Sequence, residues 1–313
     1  MKALITGCGG FIGSHLAGFL LEKGFDVYGT VHVNTKNVEH LKEKIHIVRC
    51  DVTKKDEVDR LVREVKPDYV FHLAAQSFVT ESWKRPEDTL NANVFGTFNL
   101  LDSIRNAGID PVVFVACSSA EYGLNYEDEI PIKEGKEFRP SSPYAVSKIA
   151  TDMLSYLYWQ AFKMKIFRIR FFNITGVRKT GDACSDFAKG IVEVEKGVKN
   201  SLKTGNLAAV RDFTDVRDAL RALWAISEKG KYGDVYNICS GNRYKVSELL
   251  DILVSNAKTE VAVIHDEGKL RILDDPVFVG DNTKLGKLGW KAHIPIEKTL
   301  CDMLDYWRNE IKA

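Results

Sequence analysis

The sequence predicts an α/β chain: a doubly wound parallel sheet with helices on both faces, and a smaller α/β lobe interleaved at its C-terminal end. Three observations carry that expectation. Short apolar runs without polar alternation recur through the first half, helical patterns separate them, and a glycine-rich turn joins the first run to an amphipathic segment. A strand covered by helices on both faces loses its polar alternation, and alternating β and α units give parallel strands.

Ala3-Leu4-Ile5 is the first buried strand, and a helical pattern runs from Phe11 to about Lys23. Asp26-Val27-Tyr28 and Ile45-His46-Ile47-Val48 follow as strands, then a polar helix over about 55–65. Tyr69-Val70-Phe71 precedes a longer helix over about 86–107, and Val112-Val113-Phe114-Val115-Ala116 is a further buried strand. Another helix runs from Pro143 to about Phe162. Beyond about residue 175 the rhythm loosens, with helical patterns near 185–198, 216–228, 246–256 and 296–312. The division expected is a dinucleotide-binding domain over 1–175, with sheet contributions from about 207–240, and a substrate lobe over 176–313. No low-complexity linker or internal repeat marks a boundary.

Lys+Arg 44 against Asp+Glu 43 gives a formal charge of +1. That balance removes the broad basic footprint of a nucleic-acid binder and leaves room for a local basic pocket. The six cysteines (Cys8, Cys50, Cys117, Cys184, Cys239, Cys301) show no C-x-x-C and no short repeated spacing. Reduced core thiols are expected, not a zinc site or a disulfide framework. No stretch approaches the roughly 18 apolar residues of a membrane span. Met1 to Thr6 enters the glycine turn without an apolar run of signal-peptide length. A cytoplasmic enzyme is the expectation.

The turn itself is Thr6-Gly7-Cys8-Gly9-Gly10-Phe11-Ile12-Gly13. Gly7 permits the tight turn, Gly10 lets backbone approach a pyrophosphate, and Gly13 lets the helix pack closely on the sheet. A strand before it and an amphipathic helix after it supply the context of a Rossmann-type dinucleotide site. The contacts expected here are Gly7, Gly10, Phe11, Ile12 and Gly13. After the second strand come Thr30-Val31-His32-Val33-Asn34, with no acid to hold a ribose 2′-hydroxyl. That absence favours NADP, with NAD as the alternative; His32 or Lys36 would have to meet a 2′-phosphate. Thr30, His32, Asp51 and Val52 are expected around the adenosine, although Asp51 also suits a helix N-cap.

Ser141-Ser142-Pro143-Tyr144-Ala145-Val146-Ser147-Lys148 opens a helix. Tyr144 and Lys148 are four apart and share a helix face. A free phenol titrates near ~10, and an adjacent ammonium is expected to lower that value toward a useful range. Of the eleven tyrosines, this one alone has a lysine four residues later. Just past the strand ending at Ala116, Cys117-Ser118-Ser119-Ala120-Glu121-Tyr122-Gly123 falls where ligands bind in doubly wound sheets. Ser118 can there donate to a carbonyl or an alkoxide.

Together these residues resemble the extended short-chain dehydrogenase/reductase family, in its nucleotide-sugar branch. The resemblance spans essentially the whole chain and includes His72-Leu73-Ala74-Ala75 and Asn93-Val94-x-Gly96-Thr97. It implies that Tyr144 exchanges the proton, that Lys148 also binds the nicotinamide ribose and that Ser118 polarises the reacting oxygen. It implies further that Ala74 and Ala75 line the pyrophosphate, that Leu73 is a cofactor contact beside them, and that Asn93 contacts the cofactor and helps order the site. Arg170-Phe171-Phe172-Asn173 and the stretch from Gly205-Asn206 through Arg211 to Asp218 resemble the family's sugar-nucleotide half. Substrate contacts implied are Gln76, Ser119, Glu121, Asn173, Ser185, Lys189, Asn206, Arg211 and Arg271. A planar guanidinium such as that of Arg211 suits a phosphate clamp. Family members commonly form homodimers through the two long helices, here about 86–107 and 143–162, and Leu154, Leu157 and Trp159 fit that interface or the internal core.

Within the branch the likeness is to enzymes acting on GDP-mannose and its derivatives. Dehydratases resembling this chain carry a glutamate two residues before the Tyr-Gly, where this sequence has Ala120. An alanine cannot abstract a proton. Thr80-Glu81-Ser82-Trp83, Ser185-Asp186-Phe187-Ala188-Lys189 and the run Ala208–Asp218 are also more reductase-like. The activity implied is reduction of GDP-4-keto-6-deoxymannose to GDP-rhamnose. GDP-mannose 4,6-dehydration and nucleotide-sugar 4-epimerisation are the alternatives.

Overall fold

The computed structural model describes residues 1–269 and 276–312. Its first half alternates without a break: β1 (Lys2–Thr6), α1 (Phe11–Glu22), β2 (Asp26–Val31), β3 (His46–Arg49), α2 (Lys55–Val65) and β4 (Tyr69–His72). Then come α3 (Val79–Lys84), α4 (Pro86–Leu90), α5 (Gly96–Asn106), β5 (Val112–Ser118), α6 (Pro143–Phe162) and β6 (Lys165–Phe171). The second half holds β7 (Asn173–Thr175), α7 (Ala183–Glu195), β8 (Leu202–Thr204), β9 (Val210–Arg211), β10 (Phe213–Asp215), α8 (Val216–Lys229) and β11 (Val235–Ile238). It continues through β12 (Tyr244–Lys245), α9 (Val246–Ser255), β13 (Val263–His265), β14 (Val277–Phe278), α10 (Thr283–Gly286) and α11 (Ile296–Glu310).

Seven parallel strands form the large sheet, in the order β11-β6-β5-β4-β1-β2-β3. The order reverses direction between β1 and β4, so the turns after these strands open into one crevice. Alternate side chains of β5 serve opposite faces: Phe114 joins the core with α1 and α8, whereas Val113, Val115 and Cys117 join the core with α2, α5 and α6. That two-sided burial is why the strand reads as an unbroken apolar run.

The segment expected as one helix over 86–107 is interrupted. Asn91–Phe95 forms a π-type turn between α4 and α5, and such turns mark functional positions in helices. The expected sheet contribution from 207–240 narrows to Val235–Ile238: β10 pairs with β7, and β9 pairs with β12 and β14. These strands are too short to extend the large sheet, and they tie loops at its carboxyl edge instead. Sequence order and space also part company, since Leu220 and Leu223 of α8 and Trp290 pack in the core beside Leu16 and Leu20 of α1. Leu285 of α10 joins that same core, whereas the late helices α7, α9 and α11 bury their own cluster of Phe187, Ile191, Leu249, Leu253, Leu300 and Met303. No helix among the described residues is long and apolar enough to cross a membrane.

Candidate active site

The glycine turn closes over β1 and opens α1. Gly7 has φ +75, and a side chain there would meet the Ala74 backbone nitrogen at 2.7 Å. A side chain at Gly13 would collide with the Gly7 carbonyl at 2.4 Å, whereas Gly10 faces open space apart from that carbonyl at 3.1 Å. Gly10 caps α1 without any side-chain cap, and the first turn carries no acid. Phe11 and Ile12 are half-buried in that turn, against the core. Unpaired N–H groups at a positive helix end, approachable over a glycine, suit a diphosphate. The Thr30 side chain accepts from the Gly7 N–H (3.3 Å), and its carbonyl accepts from the Cys8 N–H (2.8 Å), fixing the turn to the end of β2.

Beside the turn lies a cavity of about 390 Å³ lined by Gly7, Thr30, His32, Asp51, Val52, Ala74, Ala75 and Gln76, among others. All but Gln76, a residue expected at the substrate, are residues expected around an adenosine diphosphate, and the glycine cradle with this cavity fits a dinucleotide. His32 stands 3.8 Å from Asp51. Asp51 also takes the Thr53 N–H and hydroxyl, in a local turn ahead of α2; it is not the N-cap of that helix, a position Lys54 occupies without a side-chain cap. Lys36 points elsewhere, paired with Glu310 at 2.7 Å. Leu73 packs against the core and not into this cavity.

Beneath the turn a directed hydrogen-bond chain sets the floor. The Ala74 N–H donates to the Thr6 hydroxyl (3.3 Å), which lies 2.7 Å from His72 Nδ1. His72 Nε2 lies 3.1 Å from the Thr97 hydroxyl, which donates to the Asn93 carbonyl (2.6 Å). With both hydroxyl protons so assigned, His72 is the neutral Nε2–H tautomer. Burial pushes its pKa down to about 3, with Lys148 adding to the shift.

Asn93 sits in the π-type turn. Its side chain accepts from the Gln76 N–H (2.8 Å) and donates to the Gln76 carbonyl (3.0 Å) and to the Ser147 hydroxyl (2.8 Å). It therefore clamps the loop after β4 to α6 between Tyr144 and Lys148. This is an ordering role, through other residues.

Tyr144 and Lys148 occupy the first turns of α6, capped by Ser142 with Pro143 at the first helical position. The Lys148 ammonium donates to the Ala116 carbonyl (2.8 Å) and lies 5.9 Å from the Tyr144 ring centre. Burial lowers the Lys148 pKa. The expected lowering of Tyr144 is reversed: burial pushes its phenol up to about 12, against an opposing hydrogen bond with Ser118. The ammonium is spent on the Ala116 carbonyl, so desolvation of the phenol wins. Tyr144 is thus a loaded proton donor, and Ser118 is its immediate neighbour.

Ser118 also caps a short 3₁₀ turn. Its hydroxyl accepts from the Ala120 N–H (3.1 Å), while its own N–H donates to Glu121 (2.7 Å). The Ser-x-x-Glu spacing is a capping box, a signal present in the sequence and unread there.

The structure places the substrate contacts implied by resemblance unevenly, and turns Glu121 and Ser185 away from the role expected of them. Glu121 is fully buried, with one oxygen on the Ser118 N–H and the other on Arg170 Nε (3.0 Å). It faces the core because Arg170 holds it there. Ser185 is buried and spends its hydroxyl in the capping box of α7 with Asp182. Lys189 lies near Glu193 and over the Trp307 ring, on the side of α7 that meets α11. Ser119 is buried at the start of the 3₁₀ turn. Arg271 lies outside the described residues. Asn173 donates to the Asp212 carbonyl (3.0 Å), Asn206 accepts from the Ala208 N–H (3.0 Å), and Arg211 reaches its neighbour's carbonyl (2.9 Å). These three remain at the carboxyl edge of the sheet, on and beside β7 and β9. Gln76 lines the cavity and donates to Thr89 (2.9 Å).

Residues 4–303 match the family model of GDP-mannose 4,6 dehydratase. The chain is 30% identical to GDP-6-deoxy-D-mannose reductase of Pseudomonas aeruginosa, over 99% of this chain and 98% of that one. It is 33% identical to a GDP-mannose 4,6-dehydratase of Vibrio cholerae, over 97% of this chain and 92% of that one. The solved structure of RMD from Pseudomonas aeruginosa complexed with NADPH superposes with a TM-score of 0.86, at 30% identity and 99% coverage of both chains. The chain belongs to the GDP-mannose 4,6-dehydratase family, among the NAD(P)-dependent extended short-chain dehydrogenase/reductases of nucleotide sugars.

Proposed function

We propose that the chain reduces the C4 keto group of GDP-4-keto-6-deoxymannose to GDP-rhamnose, with NADPH preferred and NADH the alternative. The observation that carries this reading is the fate of the carboxylate beside Ser118. Position 120 is alanine, and both oxygens of buried Glu121 are bound by Ser118 N–H and Arg170. A dehydratase needs a free base there; a reductase does not.

A bound reduced nicotinamide supplies the hydride in this family's chemistry. The chain's own part is to hold and protonate the reacting oxygen. Ser118, whose hydroxyl oxygen accepts from Ala120 and whose hydroxyl is hydrogen-bonded to Tyr144, would turn its O–H from the phenol to the keto oxygen. Tyr144, kept protonated by burial, delivers the proton as the alkoxide forms. Lys148 is held against the end of β5 and would bind the nicotinamide ribose there. His32, which lines the cavity, would be the basic group to meet a 2′-phosphate, since Lys36 is paired with Glu310 outside it.

The division into a dinucleotide domain and a sugar-nucleotide lobe belongs to the same reading. So do substrate contacts at Gln76, Asn173, Asn206 and Arg211, and a homodimer. Phe95 at the end of the π-type turn, Phe98 of α5, and Val146, Met153 and Leu157 of α6 expose large apolar side chains. Trp159 turns inward, since its ring would meet a side chain at Gly233 at 2.0 Å.

The test supplies GDP-4-keto-6-deoxymannose with NADPH or NADH and follows the reduced nicotinamide absorbance. Stoichiometric loss is expected. Conversion of GDP-mannose with only catalytic NADP would overturn the reading in favour of dehydration. Turnover of a UDP-hexose without net oxidation would overturn it in favour of epimerisation.

A further inference from the structure

Side chains at 166, 168 and 170 of β6 face α6, where a buried parallel strand ordinarily carries only apolar residues. Two of the three are arginines. Arg168 is 7% and Arg170 2% exposed, and they meet Asp152 and Glu121, both with no exposed surface. Burying charges costs more than burying hydrophobic residues of the same volume, so this cluster needs a reason beyond stability.

Its geometry supplies one. Tyr144, Lys148 and Asp152 are spaced by four along α6 and share one face. Asp152 accepts from Arg168 with one oxygen and from Arg170 with the other (2.9 Å). Arg170 Nε also donates to Glu121, whose other oxygen fixes the Ser118 N–H. A second guanidinium nitrogen donates to the Tyr122 hydroxyl (3.0 Å) and to the Glu134 carbonyl (2.9 Å). The Tyr122 hydroxyl in turn donates to Asn237 of β11 (2.7 Å). One guanidinium therefore joins the carboxylate that fixes Ser118 to the carboxylate that fixes the Tyr144/Lys148 helix. Ligand atoms of Cys117, Glu121 and Asp152 lie within 4.8 Å of one another. The guanidinium between the two carboxylates gives that cluster an organic cation of its own.

We propose that Arg170 is a positioning residue for catalysis, acting through Glu121 and Asp152 to hold the Ser118 hydroxyl in register with the Tyr144 phenol. It touches no substrate. Lysine at this position keeps the charge but loses the rigid planar fork that holds the two carboxylates, the Tyr122 hydroxyl and the Glu134 carbonyl in one fixed geometry. Glutamine at 121 keeps an acceptor for the Ser118 N–H and turns an amide donor toward Arg170 Nε, breaking the link.

The experiment measures Arg170→Lys and Glu121→Gln with the nucleotide-sugar substrate that the wild-type enzyme turns over. The wild-type rate tests the proposed reaction; the mutant ratios test the positioning, whichever reaction the wild type performs. Each variant is expected to lose about tenfold to a hundredfold in kcat with KM within about twofold, since an interaction made only at the reacting centre shows in kcat. The discriminating measurement repeats Glu121→Gln in a Ser118→Ala background, where its effect should shrink to under about threefold because the residue acts through Ser118. An undiminished loss in that background overturns the proposal. So does a variant with lowered Tm and unchanged kcat per folded enzyme. If neither variant folds, Tyr122→Phe, which takes one hydroxyl from Arg170 and no charge, decides by the same kcat-against-KM split.

Discussion

At Tyr144 the outcome turns on a competition between neighbours. The same lysine that shares its helix face donates to a strand-end carbonyl, so the phenol keeps its proton through neutral pH. For a proton donor that is the useful direction. Tyr144→Phe is expected to lower kcat by about a hundredfold to ten-thousandfold, with cofactor binding retained, as fluorescence titration with NADPH would show. Because the phenol titrates at about 12, the wild-type reduction rate should carry no alkaline loss from this group over ordinary buffers. A limb near neutral pH that Tyr144→Phe abolishes would contradict this. A second residue prediction concerns His32, which lines the cavity beside Thr30 and Asp51. His32→Asp restores the acid that NAD sites place there. The ratio of kcat/KM for NADPH over NADH should fall by roughly tenfold or more through repulsion of a 2′-phosphate.

Among the elements, the glycine turn and the interrupted helix carry most of the site. Gly7 needs both a left-handed backbone and the absence of a side chain. Gly7→Ala should cost about 1–2 kcal/mol for the backbone alone, with a further loss as Ala74 is displaced. Reduced dinucleotide affinity in calorimetry and a lower Tm would be seen together; an unchanged affinity would refute the cradle. The π-type turn frees the Asn93 carbonyl for the hydroxyls of Thr97 and Thr151, and it turns the Asn93 amide toward Gln76 and Ser147. The helical pattern over 86–107 was legible, but a one-residue widening of a helix leaves no periodic trace. The neutral state of His72 depends on four other residues, three of them distant in sequence.

The whole molecule should register its buried imidazoles in acid. Burial holds His15 at about 4 and His72 at about 3, against ~6.5 for an exposed imidazole. Between these values the unfolded chain binds more protons than the folded one, so stability falls as pH drops below about 6.5. Chemical denaturation from pH 7 to pH 4 should show that slope, and His72→Gln should make it shallower; an identical slope in the variant would remove His72 as its source. The exposed apolar side chains on α5 and α6 bear on assembly. The proposed homodimer predicts that light scattering finds the wild type as a dimer and Leu157→Glu as a monomer, with little change in Tm, because Leu157 is half-exposed in the single chain; a monomeric wild type would refute it.

The sequence by itself determined the sheet-and-helix alternation, the glycine cradle and the Tyr144/Lys148 pair, because each rests on local spacing: two residues in a strand, four on a helix, a glycine where a side chain cannot fit. It also placed Ala120 where a base would be needed. Tertiary structure alone decided which charges face the cleft and which face the core. Glu121 lies beside a serine of the site in sequence, yet Arg170, 49 positions away, turns it inward and leaves the site without a free base at that point. Asp152 and Arg168 carried no sequence signal beyond their spacing, since a carboxylate on a helix and an arginine on a strand ordinarily belong to the surface. Their pairing exists only once α6 lies on β6, because burial in low dielectric is affordable to a charge only when its partner arrives from another part of the chain.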